Sequence, residues 1–275
     1  MKHNRAGTLL PADQRPPGWR YLGFERVELA AGESVKRHSG DTELALCPLE
    51  GSVAVQGGDF SWPLERESAL RGPAALVYLP PRTTFRLSSS GGGSVAIGSA
   101  PAHGAFPSRL IEPAEMRVEM RGGAAAHRQV VHALAPPLPA ERLIVYEVFV
   151  PAGHWSGWPP HCHDGEHGSP YLEETYLFHF DRPEGFGFHR NWRGLLQDGP
   201  PTSEESFRVG HGDLVLVPAG FHVSCAAPAF NMWVLNFLAG ELEGDERSRP
   251  PYFDPTSTWI ESSWEQTPVR LPVGA

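Results

Sequence analysis

The residues whose types and spacing could do chemistry fall between positions 159 and 223. PPHCHDGEHGSPYLEETYLFHF, residues 159–180, carries His161, His163 and Glu174, and the PAGFHV turn at 218–223 adds His222. Alternate side chains of a β-strand share a face, so His161 and His163 project together while Cys162 points the other way. Glu174 opens a run rich in aromatic and β-branched residues, and His222 follows LVLVP and a Pro-Ala-Gly turn, so both sit in strand contexts. Three neutral imidazoles and one carboxylate make a shell for one divalent transition metal. Zinc or manganese comes first, and iron, cobalt or nickel is also compatible; the all-oxygen shells of calcium and magnesium are not. Such an ion is a Lewis acid, suited to chemistry at neighbouring carbonyl and hydroxyl oxygens. Eight of the 13 histidines lie between 154 and 222. His154, His167, His179, His189 and His211 are therefore read as chance neighbours of the four ligands.

Those four residues need a scaffold that brings distant strands together, and the rest of the chain supplies one. Runs such as RVELAAG, ELALCPLEGSVAVQGG, ALVYLP and TTFRLSSS alternate with Gly, Pro and Ser, and 30 Gly and 28 Pro leave little room for long helices. The pattern predicts an all-β fold of sandwich or jelly-roll type. An internal repeat divides it in two. Ala75–Thr84 (ALVYLPPRTT) matches Asp213–His222 (DLVLVPAGFH) at a constant offset of 138, and Glu43-Leu-Ala-Leu resembles Glu174-Thr-Tyr-Leu at an offset of 131. The expected architecture is a duplicated jelly roll, with residues 1–122 and 123–275 as its copies and the break near the small-residue stretch at 121–126. His222 is matched by Thr84, and the stretch just upstream of Glu43, KRHSGD, offers only His38, with no HxH pair. The first copy is therefore expected to be metal-free and structural.

Composition narrows the chemistry further. A 275-residue chain with 40% hydrophobic and 20% charged residues can bury a large core, and a net charge of −9 argues against nucleic acid as a partner. No stretch of about eighteen apolar residues occurs, and the N-terminal MKHNRAGTLLPADQRPPGW lacks the apolar core of a secretory leader, so no membrane partner is expected and a cytoplasmic location is. Three cysteines at irregular spacing suggest neither a disulfide framework nor a cysteine zinc site. Lys2 and Lys36 are the only lysines and lie far from the histidines, which weighs against Schiff-base chemistry; phosphate-cradling glycine motifs are missing as well. A small-molecule substrate remains, and a homo-oligomer is compatible with all of this.

WSGWPPHCHD, YLEETYLFHF, PEGFGFHRNW, GDLVLVPAGFHV, LNFLAG and DPTSTWI together resemble, in order and spacing, the two-copy cupin family of 5-deoxy-glucuronate isomerases of myo-inositol catabolism. The N-terminal half fits more loosely, through LGFERVELAAGES and LEGSVAVQGG. The resemblance implies metal-dependent aldose–ketose isomerisation of 5-deoxy-glucuronate to 5-dehydro-2-deoxy-gluconate. It also maps the family's metal motif onto His161, His163, Glu174 and His222. His189 and Trp192 stand where that family's Gln and Tyr are expected, and Trp233 and Val234 where a Tyr-Tyr pair is expected. If those groups touch the sugar, these exchanges shift substrate preference while the reaction class stays the same. Alternatives are an isomerase of a related uronate, a metal-dependent cupin oxygenase and a non-catalytic sugar-binding cupin.

A uronate needs a partner for its carboxylate. Arg190, in PEGFGFHRNW, is the first candidate because a guanidinium can clasp a carboxylate bidentately, and Arg128, in AHRQV, is the second. Tyr176 shares strand parity with Glu174 and should face the interior, as filler or as a hydroxyl donor, and Asn236 in VLNFLAG is a further pocket candidate. No residue is assigned as catalytic base. Glu166, Glu173 and His179 are near in sequence, but parity turns Glu173 and His179 away from Glu174.

Overall fold

The computed structural model describes residues 16–264. Lys2 and most of the N-terminal stretch examined for a leader lie outside the described residues. Nineteen strands run through the rest, joined by turns and short 3-10 segments; the described residues contain no α-helix. The first eight are β1 (Gly23–Leu29), β2 (Ser34–His38), β3 (Thr42–Gln56), β4 (Ser61–Arg66), β5 (Leu76–Leu79), β6 (Thr84–Ser88), β7 (Gly93–Pro101) and β8 (Arg109–Ile111), all linked in one sheet with the path β1-β7-β3-β5-β8. There follow β9 (Arg117–Arg121), β10 (Arg128–Leu134), β11 (Ile144–Val150), β12 (Trp155–Cys162), β13 (Leu172–Phe180) and β14 (Phe186–Arg193). The chain continues with β15 (Ser203–Gly210), β16 (Leu214–Val217), β17 (Phe221–Ala226), β18 (Met232–Gly240) and β19 (Tyr252–Phe253). They form two sheets, β16-β13-β18-β11-β10-β9 and β15-β14-β17-β12-β19. The fold is the expected all-β duplicated jelly roll. β9 precedes the stretch at 121–126 yet hydrogen-bonds to β10, so the second set of strands begins before that stretch.

The strands at the centre read as continuous apolar runs because both of their faces are covered. All nine residues of β13 are buried. Tyr176, Phe178 and Phe180 pack inside their own half with Val215, Val217 and Val234. Leu177 points the other way, into a core shared by the two halves with Ala45, Cys47, Tyr78, Leu235 and Phe237. Gly98 is required there: a Cβ on it would lie 2.2 Å from the Phe237 ring. The interior of the first half is filled by Leu44, Leu46, Val53, Leu79, Phe85 and Leu87, leaving an apolar core where the second half has a cavity.

A reciprocal pair of carboxylates clasps the halves. Glu173 accepts the backbone N–H groups of Tyr21 and Leu22, each at 2.7 Å, and that of Arg20. Glu43 accepts those of Glu141 (2.8 Å), Arg142 (2.6 Å) and Leu143 (2.7 Å), and the Tyr78 hydroxyl at 2.8 Å. Arg66 of the first half is paired with Glu147 of the second, which also accepts the Trp233 indole N–H at 2.9 Å.

This symmetry corrects the repeat. Leu44 pairs with Leu79 as Glu174 pairs with Val217, and Leu79 and Val217 are the positions 138 apart. Glu43 therefore matches Glu173 in register and in role, and the counterpart of Glu174 is Leu44. The pairing of His38 with Thr84 repeats that of His161 with His222, so Gly40 stands at the place of His163. Of the four candidate ligand types the first half keeps only His38.

Candidate metal centre and its cavity

His161 and His222 sit opposite each other on β12 and β17 of the five-stranded sheet, His163 follows β12, and Glu174 comes across from β13 of the facing sheet. The four thus meet between the two sheets of the second half. Strand alternation works as expected: Cys162 turns outward into a cluster with Trp192, Phe221 and Val223. The tight turn before His222 depends on Gly220, which has φ +89° and could not carry a Cβ without meeting the Trp192 carbonyl at 2.3 Å. Asp164, unnoticed in the sequence although it directly follows His163, accepts the Gly220 N–H at 2.7 Å and ties the two ligand-bearing loops together.

The ligand atoms of His161, His163 and His222 all lie within 4.8 Å of one another. His163 Nε2 is 2.8 Å from Glu174 Oε2, and His222 Nε2 is 3.2 Å from the same oxygen. The second contact is not aligned as a hydrogen bond, so the buried His222 Nε2 is left without a partner. Each imidazole is held from behind by a backbone carbonyl on Nδ1: Leu172 at 2.9 Å for His163, Gly220 at 3.2 Å for His222 and Pro159 at 3.4 Å for His161. A carbonyl only accepts, so Nδ1 carries the hydrogen and Nε2 is the atom free to ligate. Asn236 donates to Glu174 Oε1 at 3.0 Å and fixes the carboxylate. Donor types, convergence and the orphaned nitrogen all fit a divalent transition metal.

Electrostatics agree with a site built around a cation. Burial alone would raise the Glu174 carboxyl, but His163 and His222 beside it outweigh burial and hold it at about 2. Burial pushes His163 down, and the Glu174 contact more than offsets this, leaving it raised. Burial, followed by repulsion from His222 and His163, drives His161 well below its ordinary value. The opposite shifts of Glu174 and His163 are those of a carboxylate and an imidazole that attract each other, and a metal ligated there requires both in their deprotonated forms.

A cavity of about 590 Å³ opens from this cluster. His161, His163, Glu174, Tyr176 and Asn236 form one end, and Arg117, Glu119, Arg121, Arg128, His132 and Tyr146 line the remainder with Trp158 and Phe253. Register explains one polar band across the concave sheet: Tyr176, Asn236, Tyr146, His132 and Arg117 pair in succession from β13 to β9. His132 faces Glu119 at 3.0 Å and Arg117 at 2.8 Å. No short-range spacing in the sequence announces this band, because its members are joined only by strand pairing.

The other sequence candidates divide cleanly. Tyr176, Asn236 and Arg128 line the cavity, whereas Arg190 does not. Its neighbours His189 and Asn191 pair with Ser224 and His222, so Arg190 faces the opposite side of β14, where it lies over Trp192 and donates to Glu204 at 2.7 Å. Glu166 is exposed on a turn, and Glu173 and His179 face the first half. His189, Trp192, Trp233 and Val234 are buried and do not line the cavity, but His189 packs edge-on against Tyr176 and parallel to the ring of His222. Of the four departures from the family pattern, the one at His189 thus lies directly behind the site.

The fold and this cluster define a two-copy cupin with a three-histidine, one-carboxylate centre in its second copy. Comparison with known proteins makes the assignment specific: the KduI/IolB family matches residues 1–260, and the chain belongs to that family. It is 32% identical over 265 residues to the 5-deoxy-glucuronate isomerase of Geobacillus kaustophilus (strain HTA426), covering 94% of this chain and 93% of that one. It is 29% identical over 246 residues to that of Bacillus subtilis (strain 168), covering 87% and 88%. The crystal structure of an IolB-like protein from Salmonella typhimurium LT2 superposes with a TM-score of 0.84 at 32% identity, over 94% of this chain and 96% of that one. An oxalate decarboxylase from Lactobacillus farciminis superposes with a TM-score of 0.62 at 9% identity, covering 88% and 87%, a likeness of fold alone.

Proposed function

We propose that this chain is a metal-dependent aldose–ketose isomerase that converts 5-deoxy-glucuronate to 5-dehydro-2-deoxy-gluconate in the cytoplasm, as a step of inositol breakdown. The observation that carries the reading is the convergence of His161, His163, His222 and Glu174 at the end of a cavity, in a chain of the KduI/IolB family. The strands from β9 onward form the catalytic copy and β1–β8 the supporting one. Leu44 and Thr84 deny the first copy the carboxylate and one imidazole of the set.

In the catalytic copy the three Nε2 atoms and Glu174 would hold one ion, zinc or manganese by preference. When bound, the ion supplies Lewis acidity to the sugar's carbonyl and adjacent hydroxyl. The chain's own side chains do the rest. Backbone carbonyls behind each Nδ1 fix the imidazoles, and Asn236 keeps Glu174 turned toward them. The Tyr176 hydroxyl is near Glu174, and its pKa is pushed well up by burial and then by that charge, so it stays protonated with its single O–H directed at Glu174 and its oxygen able to accept from a sugar hydroxyl.

An oxygenase could use the same ligand set with iron, and oxygen dependence separates the two. Metal-loaded protein incubated with 5-deoxy-glucuronate under nitrogen is expected to convert the aldose signals to those of the ketose by NMR. Conversion that stops without oxygen, or no conversion of this or any related uronate, contradicts the isomerase reading.

A further inference from the structure

The geometry points to Arg128 as the group that binds the substrate's carboxylate, so that the sugar acid lies in the cavity with its aldehyde at the histidines and its acid end at β10. This rests on the isomerase reading above and adds to it the direction in which the substrate lies. Among the described residues four guanidinium groups line the cavity, those of Arg117, Arg121, Arg128 and Arg249. Three touch a carboxylate: Arg117 and Arg121 share that of Glu119 at 3.0 and 3.1 Å, and Arg249 has that of Glu246 at 2.6 Å. Arg128 differs. Among the described residues it has no carboxylate partner, and its bonds go from one terminal nitrogen to the backbone carbonyls of Ala126 (3.1 Å) and Trp158 (3.2 Å).

Arg128 is only 8% exposed, far less than a surface arginine. A buried cation without a counter-ion is unfavourable, and burial with repulsion from Arg121 brings this guanidinium down to about 10, at which it is still charged at neutral pH. A carboxylate arriving in the cavity relieves that cost with charge-assisted hydrogen bonds, while the two carbonyl bonds hold the fork in place beforehand. Arg128 lines the same cavity as His161, His163, Glu174 and Tyr176, so the cation and the metal centre face one space.

The test compares 5-deoxy-glucuronate with 5-deoxy-glucose, which lacks only the charged end, in the metal-loaded protein. The unaltered chain should prefer the acid, and Arg128→Gln should lower kcat/KM for the acid roughly 100-fold, mainly through KM, with little change for the neutral sugar. Arg128→Lys should recover part of the loss, and Arg190→Gln should behave as the parent. Titration calorimetry with the same two sugars gives a readout independent of turnover: preferential binding of the acid should be lost in Arg128→Gln. If the glutamine variant loses its cooperative unfolding transition, the lysine variant decides, with a KM for the acid raised about 10-fold expected. Undiminished preference for the acid in folded Arg128 variants overturns the assignment even if the isomerase activity stands. Acid-selective binding that depends on Arg128 supports it even if turnover is absent and the isomerase reading has failed.

Discussion

Replacing His161, His163 or His222 by alanine is expected to lower kcat by at least about 10³-fold, roughly 4 kcal/mol of barrier, while the chain keeps a cooperative unfolding transition. The loss is large because each imidazole supplies one Nε2 of a three-nitrogen cluster held in place by backbone carbonyls, and among the described residues no other histidine belongs to that cluster. The fold should survive. The core inside the second half is apolar, built from Tyr176, Phe178, Val215, Val217 and Val234, and a metal here stabilises only by the amount that ligand binding adds to a chain that folds without it. Asn236→Ala, which leaves all four ligands but frees the Glu174 carboxylate, should cost less than His222→Ala. Loss of cooperative unfolding in the histidine variants would make the ion structural, contrary to this account.

The largest effect on stability is expected at the clasp between the halves. Glu43→Ala removes the acceptor of three backbone N–H groups and of the Tyr78 hydroxyl at a site with no exposure, and Glu173→Ala strips three N–H groups in the mirror arrangement. A buried donor left without a partner costs about 1–3 kcal/mol, and allowing for relaxation each variant should lose about 3–5 kcal/mol. For a chain of this size that is a fall in Tm of roughly 10 °C. Glu43→Gln keeps one acceptor oxygen and should lose less. Differential scanning calorimetry reads both, and a Tm within about 1 °C of the parent in Glu43→Ala would mean that water replaces the carboxylate. Glu173→Ala carries a further expectation: its neighbour Glu174 points the other way from the same strand, so activity should fall with stability there more than in Glu43→Ala.

Much of the site was legible in the sequence because it rests on local geometry. Alternation along a strand put His161 and His163 on one side and Cys162 on the other, and parity along β13 put Glu174 and Tyr176 inside and Glu173 outside. What failed was anything needing register between distant strands. ELAL and ETYL look alike at an offset of 131, yet the pairing of β3 with β5 places Leu44, one residue on, at the position of Glu174. A slip of one residue exchanges the two faces of a strand, so the similarity of letters concealed a change of role. Arg190 failed for the same reason: it lies next to the site in sequence but on the outer face of β14. Arg128, some thirty residues before the first ligand, enters the cavity because β10 joins the same sheet as β13 and because the Trp158 carbonyl holds its guanidinium there. The band from Asn236 through Tyr146 to His132 and Arg117 had no sequence signal for the same reason.

The central claim, that one ion held by His161, His163, Glu174 and His222 runs the isomerisation, is tested most directly by titrating metal-stripped protein with zinc or manganese while following conversion of 5-deoxy-glucuronate under nitrogen. Activity should rise from near zero in proportion to added metal and break at one equivalent per chain, with no rise in His163→Ala. Full activity in the stripped protein, or a break at two equivalents per chain, would contradict it.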